Sequence, residues 1–406
     1  MKAAGIVVEY NPFHNGHAFH LAQTKKKTQA DVVVAVMSGH FLQRGEPAML
    51  PKWHRAEMAL KAGADIIIEL PYPFSTQKAD VFAFGAVSVL SALGCQFLCF
   101  GSESGQIEMF ETTLEFLQEN EDELERNIQQ FITEGISYPA AVARAYGKLK
   151  GNKKLLDLSR PNNILGLAYL RAIKKLNTPM TGMTIKRIHA DYHDVEFSSP
   201  SVASATSIRK MLFSKEGHIE KIKPYVPETT FQVLKEYQNK YRTFHSWENY
   251  WPYLRFRLLH LTPEELAQIY EIEEGIENRL LKLALSSSSF RDFISRLKTK
   301  RYTWTRLQRM CVHILTNTKK AEMQKRMKKV SYLRLLGMNE QGRKYLNLMK
   351  NALQIPLVSK LSAFKDSSID LDIRASRIYA LGAANDFIQE LINMEFSRPP
   401  VYIKSN

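Results

Sequence analysis

Gly5-Ile6-Val7-Val8-Glu9-Tyr10-Asn11-Pro12-Phe13-His14-Asn15-Gly16-His17 decides how this chain is read. Gly5 to Val8 is a short apolar run, the pattern of a strand buried on both faces of a parallel sheet. It breaks at Asn11-Pro12, because proline lacks the N–H that a sheet ladder needs and holds φ fixed. A helix-compatible segment, residues 16–28, follows. Such a strand–turn–helix can seat a phosphate tail, since the first N–H groups of a helix are unpaired and carry partial positive charge. His14 and His17 flank Gly16, which lets backbone and ligand approach closely. Imidazoles there can donate hydrogen bonds to phosphate oxygens and offset the charge that builds during attack at phosphorus. The plain alternative is two surface histidines on a loop. The position directly after a first strand and before a helix favours the functional reading.

Downstream of this turn, apolar runs at 31–37, 65–70 and 96–100 alternate with helix candidates at 52–62 and 79–93. That repetition predicts a right-handed, Rossmann-like parallel α/β sheet. Ligands of such sheets bind outside the carboxyl ends of the strands. The later strand ends read Ser38-Gly39-His40-Phe41 with Gln43-Arg44-Gly45-Glu46-Pro47, then Glu69-Leu70-Pro71-Tyr72-Pro73, then Gly101-Ser102-Glu103. Pro71 and Pro73 suit a plain turn. Gly101 either ends a strand or leaves room for a ribose or base against the backbone. Ser38 to Phe41 can line a small pocket in which His40 or Arg44 faces a carboxylate, a group that wants a cation beside it.

Residues 103–134 are acidic with helical period, a solvated face. In Ser159-Arg160-Pro161-Asn162-Asn163, proline suits the first turn of a helix. The asparagines serve there either as caps or as amides for adenine and ribose. Residues 184–189 read as a further strand. Ser204-Ala205-Thr206-Ser207-Ile208-Arg209-Lys210 combines hydroxyls, a helix start and cations, a set that can hold β- and γ-phosphates and is also an ordinary N-cap.

After about residue 224 the pattern turns mainly helical, with candidates at 228–241, 251–259, 264–272, 276–286, 289–299, 303–315 and 319–324. This predicts an α/β domain over 1–223 and a second, all-α domain over 224–406. The chain has 406 residues and a formal net charge of +15. Residues 291–350 hold 17 Lys or Arg against Asp292, Glu322 and Glu340, so nearly all of the excess lies there. Such a concentration is the footprint of a polyanion partner. Tyr302, Trp304, Tyr332 and Tyr345 are interleaved with these cations, either as platforms for unpaired bases or as core residues. Cys95, Cys99 and Cys311 fit neither a disulfide framework nor a zinc ligand set, and no metal ligand set is visible. The N-terminus does not read as a secretory leader, and no apolar stretch nears the ~20 residues that span a bilayer. The expectation is a soluble, reduced, cytoplasmic protein with no membrane partner.

His14-Asn15-Gly16-His17 resembles the HxGH signature of the nucleotidyltransferase superfamily, and Ser204 to Lys210 its second signature. The longer string Val8 to His17, with Arg160-Pro161-Asn162-Asn163-Ile164-Leu165-Gly166, is similar to one branch, the bacterial tRNA(Met) cytidine acetate ligases. The resemblance runs along most of the chain. It implies a nucleotidyltransferase domain that uses ATP, with Mg²⁺ on its phosphates, to turn acetate into acetyl adenylate and pyrophosphate. Transfer to N4 of a cytidine in the anticodon of elongator tRNA(Met) follows. It also implies catalytic roles for His14, His17, Ser207 and Arg209. Nucleotide contacts are implied for Val7, Val8, Glu9, Tyr10, Asn11, Pro12, Phe13, His14, Asn15, Gly16, His17, His20, Gly101, Asn162, Arg187 and Ile188. The basic stretch, in particular Lys319, Lys320, Lys325, Arg326, Lys328 and Lys329, is the expected RNA contact. A small-molecule adenylyltransferase would use the same α/β domain without needing that stretch. A non-catalytic RNA-binding protein would use the stretch without the chemistry.

Overall fold

The N-terminal apolar run becomes β1 (Ala3–Val8), and the next three become β2 (Val32–Ser38), β3 (Ile66–Leu70) and β4 (Phe97–Ser102). The structure is a computed structural model that describes residues 1–151, 153–187, 203–214, 216–273 and 275–404. β1 sits centrally and pairs in parallel with β2, from Ala3 opposite Val32 to Val8 opposite Met37, and with β4 on its other side. β2 pairs in parallel with β3, and β4 with β5 (Thr181–Lys186). β5 lies earlier than the strand read at 184–189, and Ile188 falls outside the described residues. Every residue of β2 is buried, as its unbroken Val-rich run requires of a strand covered on both faces.

Helices α1 (Asn15–Thr28), α2 (Lys52–Lys61), α3 (Tyr72–Ser75) and α4 (Ala79–Ala92) connect the first four strands. The crossover to β5 holds α5 (Ile107–Glu119), α6 (Glu121–Thr133), α7 (Tyr138–Lys150) and α8 (Pro161–Lys175). Strand alternation sends successive side chains of β1 to opposite faces. Ile6 and Val8 join Leu21 of α1 and Trp53 and Ala56 of α2 in one core. Ala3 and Val7 pack in the other, with Leu90 of α4 and Leu170 of α8. Gly5 faces that second side, where a Cβ would strike the end of the Leu90 side chain.

The second half continues with α9 (Ala205–Leu212), α10 (Glu228–Tyr241), α11 (Trp247–His260), α12 (Pro263–Ala267), α13 (Ile276–Ser286), α14 (Phe290–Leu297), α15 (Trp304–Leu315) and α16 (Lys320–Arg326). It then departs from an all-α domain. β6 (Leu333–Asn339) runs antiparallel to β3, with Ile66 opposite Met338 and Glu69 opposite Arg334. β7 (Leu357–Val358) and β8 (Val401–Ile403) pair in parallel with β6. The sheet order is therefore β5-β4-β1-β2-β3-β6-β7, with β8 on β6. α17 (Glu340–Met349), α18 (Asp370–Ala380) and α19 (Asn385–Ser397) accompany these strands. The half is mainly helical, yet three of its strands belong to the sheet begun at residue 3.

A buried charge network joins the halves. Lys52 Nζ of α2 donates to Glu69 Oε2 of β3 at 2.7 Å and to Glu395 Oε1 of α19 at 2.9 Å. Arg334 of β6 donates to the Glu395 carbonyl, and Ser376 of α18 to the Glu395 carboxylate. Burial pulls the Lys52 ammonium down, but Glu395 and Glu69 together hold it above its ordinary value. Asp372 takes hydrogen bonds from the Tyr332 hydroxyl and the Tyr72 N–H, and burial with nearby Glu69 pushes its carboxyl up to about 7.

Candidate active site

After β1 the chain turns through Tyr10, at φ 51°, and a cis Asn11–Pro12 bond into α1. His14 is the N-cap of α1. Its Nδ1 accepts from the Gly16 N–H at 3.1 Å, while His17 Nδ1 accepts from the His14 N–H at 3.3 Å. The two rings lie 3.7 Å apart at 31°. With both Nδ1 atoms accepting, each neutral ring carries its proton on Nε2, the donor it has left for a ligand. Both rings stay neutral. Burial, then the charges of Arg187 and Arg209, hold His14 down to about 3. Burial with His14, Arg187 and His20 holds His17 well below the imidazole range, and burial with Arg187 brings His20 to about 4. The turn thus gathers neutral imidazoles, a helix start and flanking guanidinium groups, a set able to receive an anion.

Arg209, in the first turns of α9, is already held at this turn. Its Nη1 donates to the Asn11 carbonyl at 2.8 Å and its Nη2 to Glu46 Oε2 at 2.7 Å. Ser204 caps α9, with its Oγ accepting from the Ser207 N–H at 3.1 Å and lying 2.8 Å from Ser207 Oγ. The second signature is thus an N-cap, and its Arg209 reaches the histidine turn. Gly101, at the end of β4, lies against Arg187 and His20; a Cβ there would sit 3.5 Å from Arg187 Cγ and 3.9 Å from His20 Cδ2. Asn162, in the first turn of α8, has its Nδ2 on Glu103 Oε1 at 2.7 Å, and Glu103 Oε2 accepts from the Asn163 N–H at 2.9 Å. Glu103 thus supplies the anion at that helix start.

Several residues that shape the site carry no motif in the sequence. Arg55 of α2, fully buried, donates to the carbonyls of Leu50, Glu9 and Gly39, tying the exits of β1 and β2 together. Its only sequence trace is a second cation three residues after Lys52 on an otherwise apolar helix face. His40, one of two candidates to face a carboxylate, packs against Tyr379 of α18. It is buried and stacked on Tyr379 at 4.3 Å, and burial with Lys52 and Arg55 keeps it well below the imidazole range. Gly39 is required where it stands, because a Cβ would lie 2.5 Å from Glu69 Oε1.

The basic stretch divides. Lys325, Lys328 and Lys329 are exposed, and Lys319 and Lys320 are half-buried. Arg326 is engaged, donating to the Ser367 carbonyl at 2.6 Å and pairing with Glu322 at 3.4 Å. Arg334 lies inside the buried network. Tyr302, Tyr332 and Tyr345 are core residues, whereas Trp304 is 36% exposed. A chain of hydrogen bonds links this stretch to the histidine turn. Glu9 Oε1 accepts from the Gln43 N–H at 2.7 Å, Gln43 Nε2 donates to the Gln77 carbonyl at 2.6 Å, and Gln77 Nε2 donates to Met327 Sδ at 3.0 Å.

A family model described as HIGH Nucleotidyl Transferase matches residues 1–392. The tRNA(Met) cytidine acetate ligase of Geobacillus sp. (strain WCH70) is 49% identical over 402 residues, covering 99% of this chain and 100% of the relative. That of Bacillus subtilis (strain 168) is 47% identical over 405 residues, covering 99% and 97%. The chain belongs to the tRNA(Met) cytidine acetate ligase branch of the HIGH nucleotidyltransferases. The crystal structure of Thermotoga maritima TmcAL bound with alpha-thio ATP superposes with a TM-score of 0.90 at 33% identity, covering all of both chains. The apo form of the same protein gives 0.92 at 34%. The likeness to that protein thus extends over the whole chain, both halves included. No helix among the described residues is long and apolar enough to cross a membrane, and no group of three or more metal-ligating side chains occurs among them.

Proposed function

We propose that this chain makes acetyl adenylate from ATP and acetate, then transfers the acetyl group to N4 of a cytidine in the anticodon of tRNA(Met). The observation that carries this is the histidine turn, two neutral imidazoles capping a helix start between guanidinium groups, in a chain alike from end to end to acetate ligases. ATP lies over the carboxyl ends of β1 and β4, against Val7 to His17, His20, Gly101, Asn162 and Arg187, with Ile188 beside them by resemblance. His14 and His17 donate from Nε2 to the α-phosphoryl oxygens as acetate attacks. Ser207 and Arg209 hold the departing pyrophosphate, Arg209 through the N–H donors that Asn11 and Glu46 leave over. Mg²⁺ arrives with the ATP phosphates as part of the substrate.

Residues 1–223 would then carry ATP and acetate, and 224–406 the tRNA. The exposed Lys325, Lys328 and Lys329, with Lys319, Lys320 and the guanidinium of Arg326, meet the tRNA backbone. The Gln43–Gln77–Met327 link keeps that surface beside the adenylate. RNA is read best at unpaired loops, which suits an anticodon acceptor. We place the enzyme with its tRNA in the cytoplasm. ATP–pyrophosphate exchange tests the first step: exchange that requires acetate supports it. Exchange that instead requires a phosphorylated acceptor would make the chain a small-molecule adenylyltransferase.

A further inference from the structure

The transfer step needs a base that the histidine turn does not supply. The exocyclic amine of cytosine shares its lone pair with the ring and must lose a proton as it forms a C–N bond. His14 and His17 are closed to that task, because both Nδ1 lone pairs already accept backbone N–H groups and each Nε2 carries a proton. His20 has its Nε2 buried away from a macromolecular acceptor. The carboxylates around the strand ends are also committed. Glu46 is paired with Arg209, Glu103 with the start of α8, Glu69 with Lys52, and Asp372 with Tyr332 and the Tyr72 N–H.

Glu9 is different. It directly follows β1, and strand alternation places it on the face of α4 and α8, across the turn from α1. Its Oε1 is fixed by the Gln43 N–H at 2.7 Å, and its carbonyl by Arg55 Nη1 at 2.6 Å. Its Oε2 has no hydrogen-bond donor among the described residues, and the side chain is half-buried. One oxygen is anchored and the other is presented. The same carboxylate begins the hydrogen-bond chain that ends at the basic stretch.

Building on the acetate-ligase reading, we infer that Glu9 is the general base that accepts the N4 proton of the acceptor cytidine. N4 attacks the acetyl carbonyl of acetyl adenylate, forming the C–N bond, and its proton passes to Glu9 Oε2. The tetrahedral intermediate collapses by breaking the C–O bond to phosphorus-bound oxygen, and AMP leaves with that electron pair. Glu9 returns its proton to solvent. Its surroundings suit a base: burial raises the carboxyl above its ordinary range, opposed by the Gln43 N–H, Arg44 and Arg209 and aided by Glu46. Arg55 of α2 and Tyr169 of α8 also face it.

The test supplies synthetic acetyl adenylate and tRNA(Met) to the full chain, so that ATP use does not enter, and follows single-turnover transfer against pH at saturating tRNA. The wild-type rate should rise through one ionisation to a plateau. Glu9→Gln should lower the plateau by about 10²–10⁴-fold, the usual worth of a positioned base, and leave a rate flat with pH. Glu9→Asp should keep the rising profile at reduced height. A Glu9→Gln rate within a few-fold of wild type overturns the assignment, and so does a slowed variant whose pH profile matches the wild type. A flat wild-type profile overturns it without any variant. A wild-type chain that transfers nothing would bring down the acceptor reading itself, a result distinct from failure of Glu9 alone.

Discussion

At His14 and His17 one nitrogen of each ring serves the backbone, and the proposed function assigns the other to chemistry. This division makes the pair informative to mutate. Removing a cap from a helix costs about 0.5–2 kcal/mol, whereas removing one preorganised donor from a charge-developing site slows reaction by roughly 10²–10³-fold. His17→Ala should therefore fold, with a modest drop in stability, and lose acetate-dependent exchange by about that factor at saturating ATP. Exchange within a few-fold of wild type would reduce the turn to a cap. His14-Asn15-Gly16-His17 is legible in sequence because its role is local: strand end, turn and helix start lie within a dozen residues. Arg55, Glu46 and Glu103 are not legible as partners, because each acts on a group from another strand or helix, and nothing in local spacing encodes that.

Across elements, the buried network of Lys52, Glu69, Glu395 and Arg334 holds α2, β3, β6 and α19 together. Removing one partner leaves an uncompensated buried charge, which costs about 3–5 kcal/mol, whereas an exposed pair contributes at most about 1 kcal/mol. Lys52→Ala should thus lower the urea midpoint far more than Lys61→Ala, which breaks the partly exposed pair of Lys61 with Glu57 on the same helix. Equal small losses would mean that the second half docks without the network. The elements differ in how well periodicity announces them. α10 and α13 stand at 228–241 and 276–286, where the pattern puts them, because each carries its own apolar stripe. Periodicity does not reveal β6. Leu333-Arg334-Leu335-Leu336-Gly337 is short and sits among cations, and its partner Ile66–Leu70 lies far away in the chain. Arg334, one of the cations of the basic stretch, is buried for the same reason.

For the molecule as a whole, seven imidazoles among the described residues are kept neutral by burial: His14, His17, His20, His40, His54, His245 and His313. Below the ordinary imidazole value of ~6.5 the unfolded chain binds protons that the folded chain refuses, so stability must fall as pH falls toward the folded values. Asp372, Glu9 and Glu69, raised by burial, act in the opposite sense but are fewer. Chemical denaturation should give a lower midpoint at mildly acidic than at neutral pH; an unchanged or higher midpoint would show that the imidazoles are charged in the folded protein. The concentration of charge makes a separate expectation. Changing Lys325, Lys328 and Lys329 to Glu should weaken tRNA binding and flatten its salt dependence, by about 0.7–0.9 in slope for each phosphate that is no longer neutralised. Equal affinity and slope would leave these lysines as a solvated face.

Acetyl transfer to tRNA is the step that joins the proposed roles of the two halves. The chain, ATP, isotopically labelled acetate and tRNA(Met) should be incubated together, and the tRNA digested to nucleosides and weighed by mass spectrometry. Label in N4-acetylcytidine, lost when either ATP or acetate is omitted, is the expected result. Acetate-dependent exchange with no labelled nucleoside would contradict it and send the acetyl adenylate to another acceptor.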